Sequence, residues 1–201
     1  MISADQVNKN KPIILSLLLI PSFVWIIQFL NGSLGVNPID ILMDNLGEMA
    51  LRLLIAVLCL SSLSNFIFFR SLQNLRRMLG LAAFYYVFLH FTCYIFLDHF
   101  FNFSFILKDV VKRPFITFGF AGFILLLPLV FTSTDKMLKK LTFKIWKRIH
   151  YLIYPAAILA SVHFYMLVRA NKIEPAIYIF IILLLLLYRL IYKVILPRRA
   201  R

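Results

Sequence analysis

Histidines are the residues of this sequence whose type and spacing favour metal chemistry. His150 lies at the start of a long apolar segment and His163 lies within it. The two are thirteen residues apart, which is about 20 Å along a helix. His90 lies in a second apolar segment, about as far from its start as His163 is from the start of its own. Ionisable groups inside apolar helices are costly and are therefore candidates for function. Two neutral imidazoles at matched depth on parallel helices fit the axial positions of a haem iron.

Two other interpretations of His90 and His163 stay open at this point. The pair could instead form hydrogen bonds that hold two helices together. Zinc is a poorer fit, because its sites usually take three or four protein ligands and these helices offer no Cys or carboxylate at that depth. His99 follows Asp98 at the end of its apolar segment, and we expect it to lie on the surface.

A second site is predicted around His150. A ligand opposite His150 would lie thirteen or fourteen residues before His90, where the sequence has Arg77 and Arg76. Fourteen residues return to within about 40° of the same helix face, whereas thirteen miss it by about 140°. Guanidinium has no free lone pair for a metal, but its planar fork suits haem propionates. The site therefore holds either a second haem or only a lipid head group.

The composition requires a membrane to position these residues. The chain has 201 residues, of which 62% are hydrophobic and 21 are Phe, well above the apolar share of soluble domains. A membrane-spanning helix needs about 20 mostly apolar residues, and six stretches qualify. We expect an all-α six-helix membrane bundle that forms one domain over residues 1–201. The predicted helices are Pro12–Leu30, Leu46–Phe69, Arg77–Leu97, Pro114–Phe131, Ile149–Val168 and Pro175–Ile195.

The placement of the basic residues predicts the orientation. The net charge is +14, but fourteen Lys or Arg fall before, between or after the helices on one side and five on the other. The positive-inside rule then places both termini in the cytoplasm. This distribution favours contact with lipid head groups over nucleic-acid binding.

Three local features carry further expectations. The segment "PIDILMDNL" is expected to form a short interfacial helix on the outer side. Arg52 either anchors a haem propionate or extends its charge to the membrane surface. Pro155 should kink the fifth helix, and His150 and His163 share a helix face only if that helix tilts or kinks.

The sequence resembles the ferric reductase-like transmembrane domain, and within it the haem-binding membrane subunits of bacterial periplasmic methionine-sulfoxide reductases. The resemblance runs from about Asn37 to Arg189 and combines six helices with one histidine in the third and two in the fifth. Its motifs are "RRMLGL" at 76–81, "FLHF" at 88–91, "KRPFITFG" at 112–119, "TST" at 132–134 and "WKRIHYLIY" at 146–154.

The resemblance implies a b-type cytochrome of a bacterial inner membrane, with His90, His150 and His163 as haem-associated residues and Arg76 or Arg77 in place of a fourth histidine. It implies electron transfer from membrane quinol to a periplasmic molybdopterin methionine-sulfoxide reductase, which would be the catalytic subunit. It also associates flavin mononucleotide (FMN) with the chain. The alternatives are electron transfer to another outer acceptor, or a small transporter without haem that uses its histidines and Arg52.

Overall fold

The computed structural model describes residues 4–63 and 67–194 of the chain. A 3₁₀ helix at Ile67–Leu75 precedes α3, and a π-helical turn at Tyr94–Asp98 follows it. The α-helices are α1 (Ala4–Leu30), α2 (Pro38–Leu63), α3 (Arg76–Cys93), α4 (Phe103–Lys112), α5 (Pro114–Phe131), α6 (Asp135–Lys140), α7 (Phe143–His150), α8 (Ile153–Leu167) and α9 (Ile173–Val194).

The predicted six-helix membrane bundle is confirmed. Within the described residues, six helical stretches are long and apolar enough to cross a bilayer, and together they include α1, α2, α3, α5, α7 with α8, and α9. The fourth stretch has the predicted bounds, Pro114–Phe131, because a proline at the first helical position needs no hydrogen-bond partner for its nitrogen. The predicted end at Ile195 and residues 64–66 of the predicted second helix lie outside the described part.

The second helix differs from the expectation at both ends. It begins at Pro38 instead of Leu46 and ends at Leu63. The segment "PIDILMDNL" is therefore not a separate interfacial helix, as we had expected, but the first turns of α2. Leu42 and Leu46 explain the difference, since both are buried and continue the helical core stripe of α2 toward its N-terminus.

The predicted fifth helix is interrupted between His150 and Ile153. Pro155 cannot donate a backbone hydrogen bond to the carbonyl of Tyr151, and that carbonyl accepts from Tyr154 at 3.1 Å instead. The interruption therefore lies one turn before the proline, at Tyr151 and Leu152. It allows α7 and α8 to take different directions. The rotation of about 100° per residue along one straight helix therefore does not relate the directions of His150 and His163.

Close helix contacts fix the two helices that carry His90 and His163. The core joins α2 to α3 through buried residues that include Leu53, Ala83 and Tyr86. On the other side, α5 packs on α8 where Gly122 approaches the backbone of Ala156 and Ala160. Small residues at such contacts let helix backbones come close together in membranes. Each histidine helix therefore has its own close partner, α2 for α3 and α5 for α8.

Candidate cofactor sites in two stacked cavities

The structure brings His90 and His163 together, as the sequence predicted. Their ring centres are 6.2 Å apart and their planes are 82° apart. Imidazole–metal bonds are about 2 Å long, so two imidazoles on opposite sides of one metal ion have ring centres about 6 Å apart. The observed separation therefore fits a single metal ion between the two rings.

Both imidazoles are anchored through the same nitrogen. Nδ1 of His90 donates to the carbonyl of Met43 at 2.9 Å, and Nδ1 of His163 donates to the carbonyl of Phe115 at 2.6 Å. A carbonyl can only accept a hydrogen bond, so both rings carry their proton on Nδ1. The lone pair is then on Nε2 of each ring. This is how metal-binding histidines are usually oriented by their surroundings.

Two glycines that the sequence reasoning missed make this approach possible. Gly47 lies four residues after Met43, and a Cβ there would stand 3.1 Å from Nδ1 of His90. Gly119 lies four residues after Phe115, and a Cβ there would stand 2.9 Å from Nδ1 of His163. Each glycine lies one turn after the carbonyl that accepts from the ring, but nothing in the sequence alone shows which of the six glycines lies against a histidine.

The two rings line a cavity of about 680 Å³, within the range of small-molecule and cofactor sites. Its walls are apolar and aromatic, with Phe91 stacked on Phe123 at 4.5 Å between ring centres. Its polar rim includes Asp109 and Arg113, which pair with each other at 2.9 Å. We call it the outer cavity, after the side of the membrane that the charge distribution predicts.

His150 lines a second cavity of about 470 Å³, the inner cavity. Its Nδ1 donates to the carbonyl of Trp146 at 3.0 Å, one turn back in the same helix, and its ring stacks on that of Trp146 at 4.0 Å. Nε2 lies 3.5 Å from the hydroxyl of Ser133. That hydroxyl donates to the carbonyl of Leu129 at 2.6 Å, so the lone pair of Nε2 lacks a strong donor within the described structure.

The structure separates the two arginines that the sequence grouped with His150. Both contribute to the wall of the inner cavity. Arg77 forms an ion pair with Asp135 at the start of α6, whereas Arg76 forms no ion pair with a described carboxylate. The Nε atom of Arg76 is also buried without a hydrogen-bond partner in the described structure. Arg76 is thus the arginine whose charge remains available to a ligand.

The two cavities share part of their walls. Leu54 of α2 and Leu126 of α5 line both of them, and both side chains are buried. Phe84 of the inner cavity also stacks against Phe123 of the outer cavity, with ring centres 5.9 Å apart. The cavities are therefore stacked within the bundle and separated by apolar side chains.

Arg52 belongs to a polar cluster between α2 and α9. Its guanidinium donates to Glu48 at 2.6 Å and to the hydroxyl of Tyr178 at 2.9 Å, and it lies 3.5 Å from Glu174. Arg52 does not line the outer cavity as described. It ties α2 to α9 through a satisfied polar cluster.

His99 is not the surface residue that we expected. Its side chain is only 10% exposed, and Nε2 lies 3.5 Å from Asp109 and 3.6 Å from Asp98. The reason is local backbone geometry: a π-helical turn ends at Asp98, and Phe100 and Phe101 then adopt positive φ angles of 43° and 62°. This turn brings the His99 ring against α4, where its centre lies 5.2 Å from that of Phe105.

Comparison with known proteins agrees with the fold. Residues 46–161 match the family described as ferric reductase like transmembrane component. This is the class of membrane protein that the six-helix bundle indicates.

Individual relatives define a narrower group within this family. The protein-methionine-sulfoxide reductase heme-binding subunit MsrQ of Herminiimonas arsenicoxydans is 40% identical, over 94% of this chain and 88% of the relative. MsrQ of Caulobacter vibrioides is 38% identical over 92% and 93%. MsrQ of Rhodospirillum rubrum is 42% identical over 91% and 86%. The chain belongs to the MsrQ family of ferric reductase-like transmembrane proteins, which are multi-pass proteins of the bacterial inner membrane.

Proposed function

We propose that this chain is a b-type cytochrome subunit whose haem is held in the outer cavity by His90 and His163. The single observation that supports this most is the pair of rings 6.2 Å apart, each with Nδ1–H bonded to a helix carbonyl. The haem supplies one-electron redox chemistry when bound. The chain orients both Nε2 atoms and excludes water with Phe91 and Phe123. The Asp109–Arg113 ion pair lies at the polar end of the cavity.

We further propose the direction of electron flow: from membrane quinol, through this chain, to a periplasmic molybdopterin methionine-sulfoxide reductase. The printed name of the relatives, heme-binding subunit of a methionine-sulfoxide reductase, supports a separate catalytic partner. The predicted orientation supports an outer acceptor, since it places the His90–His163 cavity on the periplasmic side.

A second, weaker haem in the inner cavity is part of the same proposal. His150 offers one Nε2 lone pair there, and Arg76 offers a charge to a propionate. FMN is the other ligand that the family resemblance associates with the chain. Arg76 and the N–H groups of the inner cavity would also pair with the phosphate of FMN.

Absorption spectroscopy with haem quantification tests the proposal directly. The purified chain should carry at least one haem with a Soret band and a sharp α band after dithionite reduction. A colourless protein that takes up no added haem would contradict the proposal and favour a transporter.

Stopped-flow mixing tests the direction of transfer. A quinol analogue should reduce the haem, NADPH with the purified chain alone should not, and added periplasmic reductase should reoxidise it. Reoxidation by ferric chelates but not by that reductase would instead favour electron transfer to another outer acceptor.

A further inference from the structure

The inner cavity contains polar groups that a ligand of His150 alone would not use. Nε of Arg76 and the indole Nε1 of Trp146 are both buried without a hydrogen-bond partner in the described part of the chain. Both residues line this cavity. A buried donor that stays unpaired is costly, and each such donor in a folded protein needs an explanation. A ligand that accepts hydrogen bonds would provide one.

A third residue, on another helix, adds a second cation. Arg189 of α9 lines the same cavity, and its guanidinium lies over the ring of Tyr154, 5.0 Å from the ring centre. Within the described residues, neither Arg189 nor Arg76 has a carboxylate at ion-pair distance, whereas neighbouring Arg77 is paired with Asp135. Two partly buried cations without a counter-ion are costly, and an anionic ligand in this cavity would offset that cost.

The surroundings of these cations favour an aromatic or otherwise planar ligand. The cavity wall includes the rings of Phe84, Trp146, Tyr154 and His150. Arg76 and Arg189 both contribute their guanidinium groups to this wall. The cavity therefore combines ring surfaces with a positive region at one place on its wall.

We propose that Arg76, Arg189 and the indole N–H of Trp146 form an anion site that binds the acidic groups of a ring-bearing ligand. The two guanidinium groups pair with carboxylate or phosphate oxygens, and the indole donates one hydrogen bond. The anion site rests on the proposed function for the location of its ligand in the inner cavity, but it does not require a haem in the outer cavity. The acidic groups belong either to the propionates of haem or to the phosphate of FMN.

Ligand pairs that differ only in their acidic groups test the site in the unaltered chain. Haemin is compared with its dimethyl ester by absorbance titration, and FMN is compared with riboflavin by quenching of flavin fluorescence. The acidic member of at least one pair should bind the inner cavity about tenfold more tightly or better, as expected for charge-assisted hydrogen bonds. Tighter binding of haemin than of its ester would identify the propionates as the acidic groups, and tighter binding of FMN than of riboflavin would identify the phosphate. Equal binding within both pairs would overturn the proposal.

Substitutions then locate the site. Arg189→Gln and Arg76→Gln should each weaken the acidic ligand about tenfold or more, and Trp146→Phe by a smaller factor. Arg189→Lys keeps the charge but loses the fork, so it should lie between Arg189→Gln and the wild type. Lys144→Gln, which removes an exposed charge on α7 away from the cavity wall, is the matched control and should change nothing. Arg77→Gln should have less effect than Arg76→Gln.

The readouts separate this inference from the function it rests on. The reduced spectrum of the His90–His163 species reports the outer haem, and circular dichroism reports the fold of each variant. Loss of the acidic ligand with an unchanged outer spectrum supports the anion site. Arg76→Gln and Arg189→Gln variants that bind both ligands like Lys144→Gln would overturn it. A wild type without the outer species would contradict the proposed function, while the paired titrations would still report on the inner cavity.

Discussion

The outer and inner cavities differ in how each histidine is held. In the outer cavity, His90 and His163 are each bonded to the carbonyl of a neighbouring helix, Met43 of α2 and Phe115 of α5. In the inner cavity, His150 is bonded to the carbonyl of Trp146 in its own helix. The outer rings therefore depend on contacts between helices, whereas the inner ring is held within one short helix.

This difference predicts two kinds of ligand site. Contacts between four helices define both position and orientation of the outer imidazoles, which suits tight binding of a metal from two sides. The inner cavity offers one imidazole and two cations without carboxylate partners in the described structure, so a ligand there depends more on charge. Substitutions in each cavity test this difference.

The largest effect is expected from the outer histidines. His90→Ala and His163→Ala should each abolish the same tightly bound haem, because each removes one of the two imidazoles that would hold its iron. Reduced-minus-oxidised spectra of the purified variants measure this. If either variant keeps an unchanged bis-imidazole spectrum, the pairing of these two residues is wrong.

The next effect is expected from the inner histidine. His150→Ala should remove a second, weaker haem and leave the His90–His163 species intact, because the two cavities are lined by separate histidines. Haem titration gives the stoichiometry of the wild type and the variant. A wild type that binds one haem, with no change in His150→Ala, would exclude haem from the inner cavity.

A smaller effect is expected from the glycine below His163. Gly119→Ala would place a Cβ 2.9 Å from Nδ1 of His163, so the ring must shift and its bond to Phe115 must lengthen. Loss of such a supporting contact lowers metal affinity by about 10–100-fold. The haem dissociation rate, followed by transfer to apomyoglobin, measures the change.

Gly80→Ala on α3 is the control, since a Cβ there meets no atom within 4 Å and Gly80 does not line the outer cavity as described. It should leave the haem dissociation rate of the outer cavity close to that of the wild type. Equal rates in both variants would show that the close approach to His163 does not govern haem retention.

The smallest effect is expected outside both cavities. Tyr178→Phe removes the hydroxyl that accepts from Arg52 at 2.9 Å and donates to Glu174 at 3.2 Å. The free energy of unfolding should fall by about 0.6 kcal/mol, an average value for polar contacts between membrane helices. Unfolding in mixed detergents measures it, with Tyr192→Phe as control. A changed haem spectrum in Tyr178→Phe would mean that the cluster belongs to the outer site.

The sequence predicted the membrane bundle and the meeting of His90 with His163 because both depend on simple periodicities. Apolar length determines which segments can span a bilayer, and matched depth on parallel helices follows from the rise per residue. The sequence did not predict the role of Gly47 and Gly119, because nothing local shows which ring will lie against a glycine.

Other errors arose where local chemistry outweighed periodicity. We expected His99 on the surface because it follows Asp98 at the end of an apolar segment, but a π-helical turn and two positive φ angles fold it inward. Helix spacing singled out Arg76 over Arg77, but it did not show that Arg77 would pair with Asp135, almost sixty residues away. Tertiary partners of this kind cannot be read from spacing.

The layer formed by Leu54 and Leu126 has an energetic consequence. It separates the two cavities with hydrocarbon, which electrons can tunnel through but which offers protons no hydrogen-bonding groups to move along. Electrons crossing it would carry uncompensated charge, so the transfer would be electrogenic. Moving one charge across the whole membrane is worth about 2.3 kcal/mol per 100 mV. On the predicted orientation, an energised membrane would drive electrons outward, and an uncoupler would slow reduction of the outer acceptor.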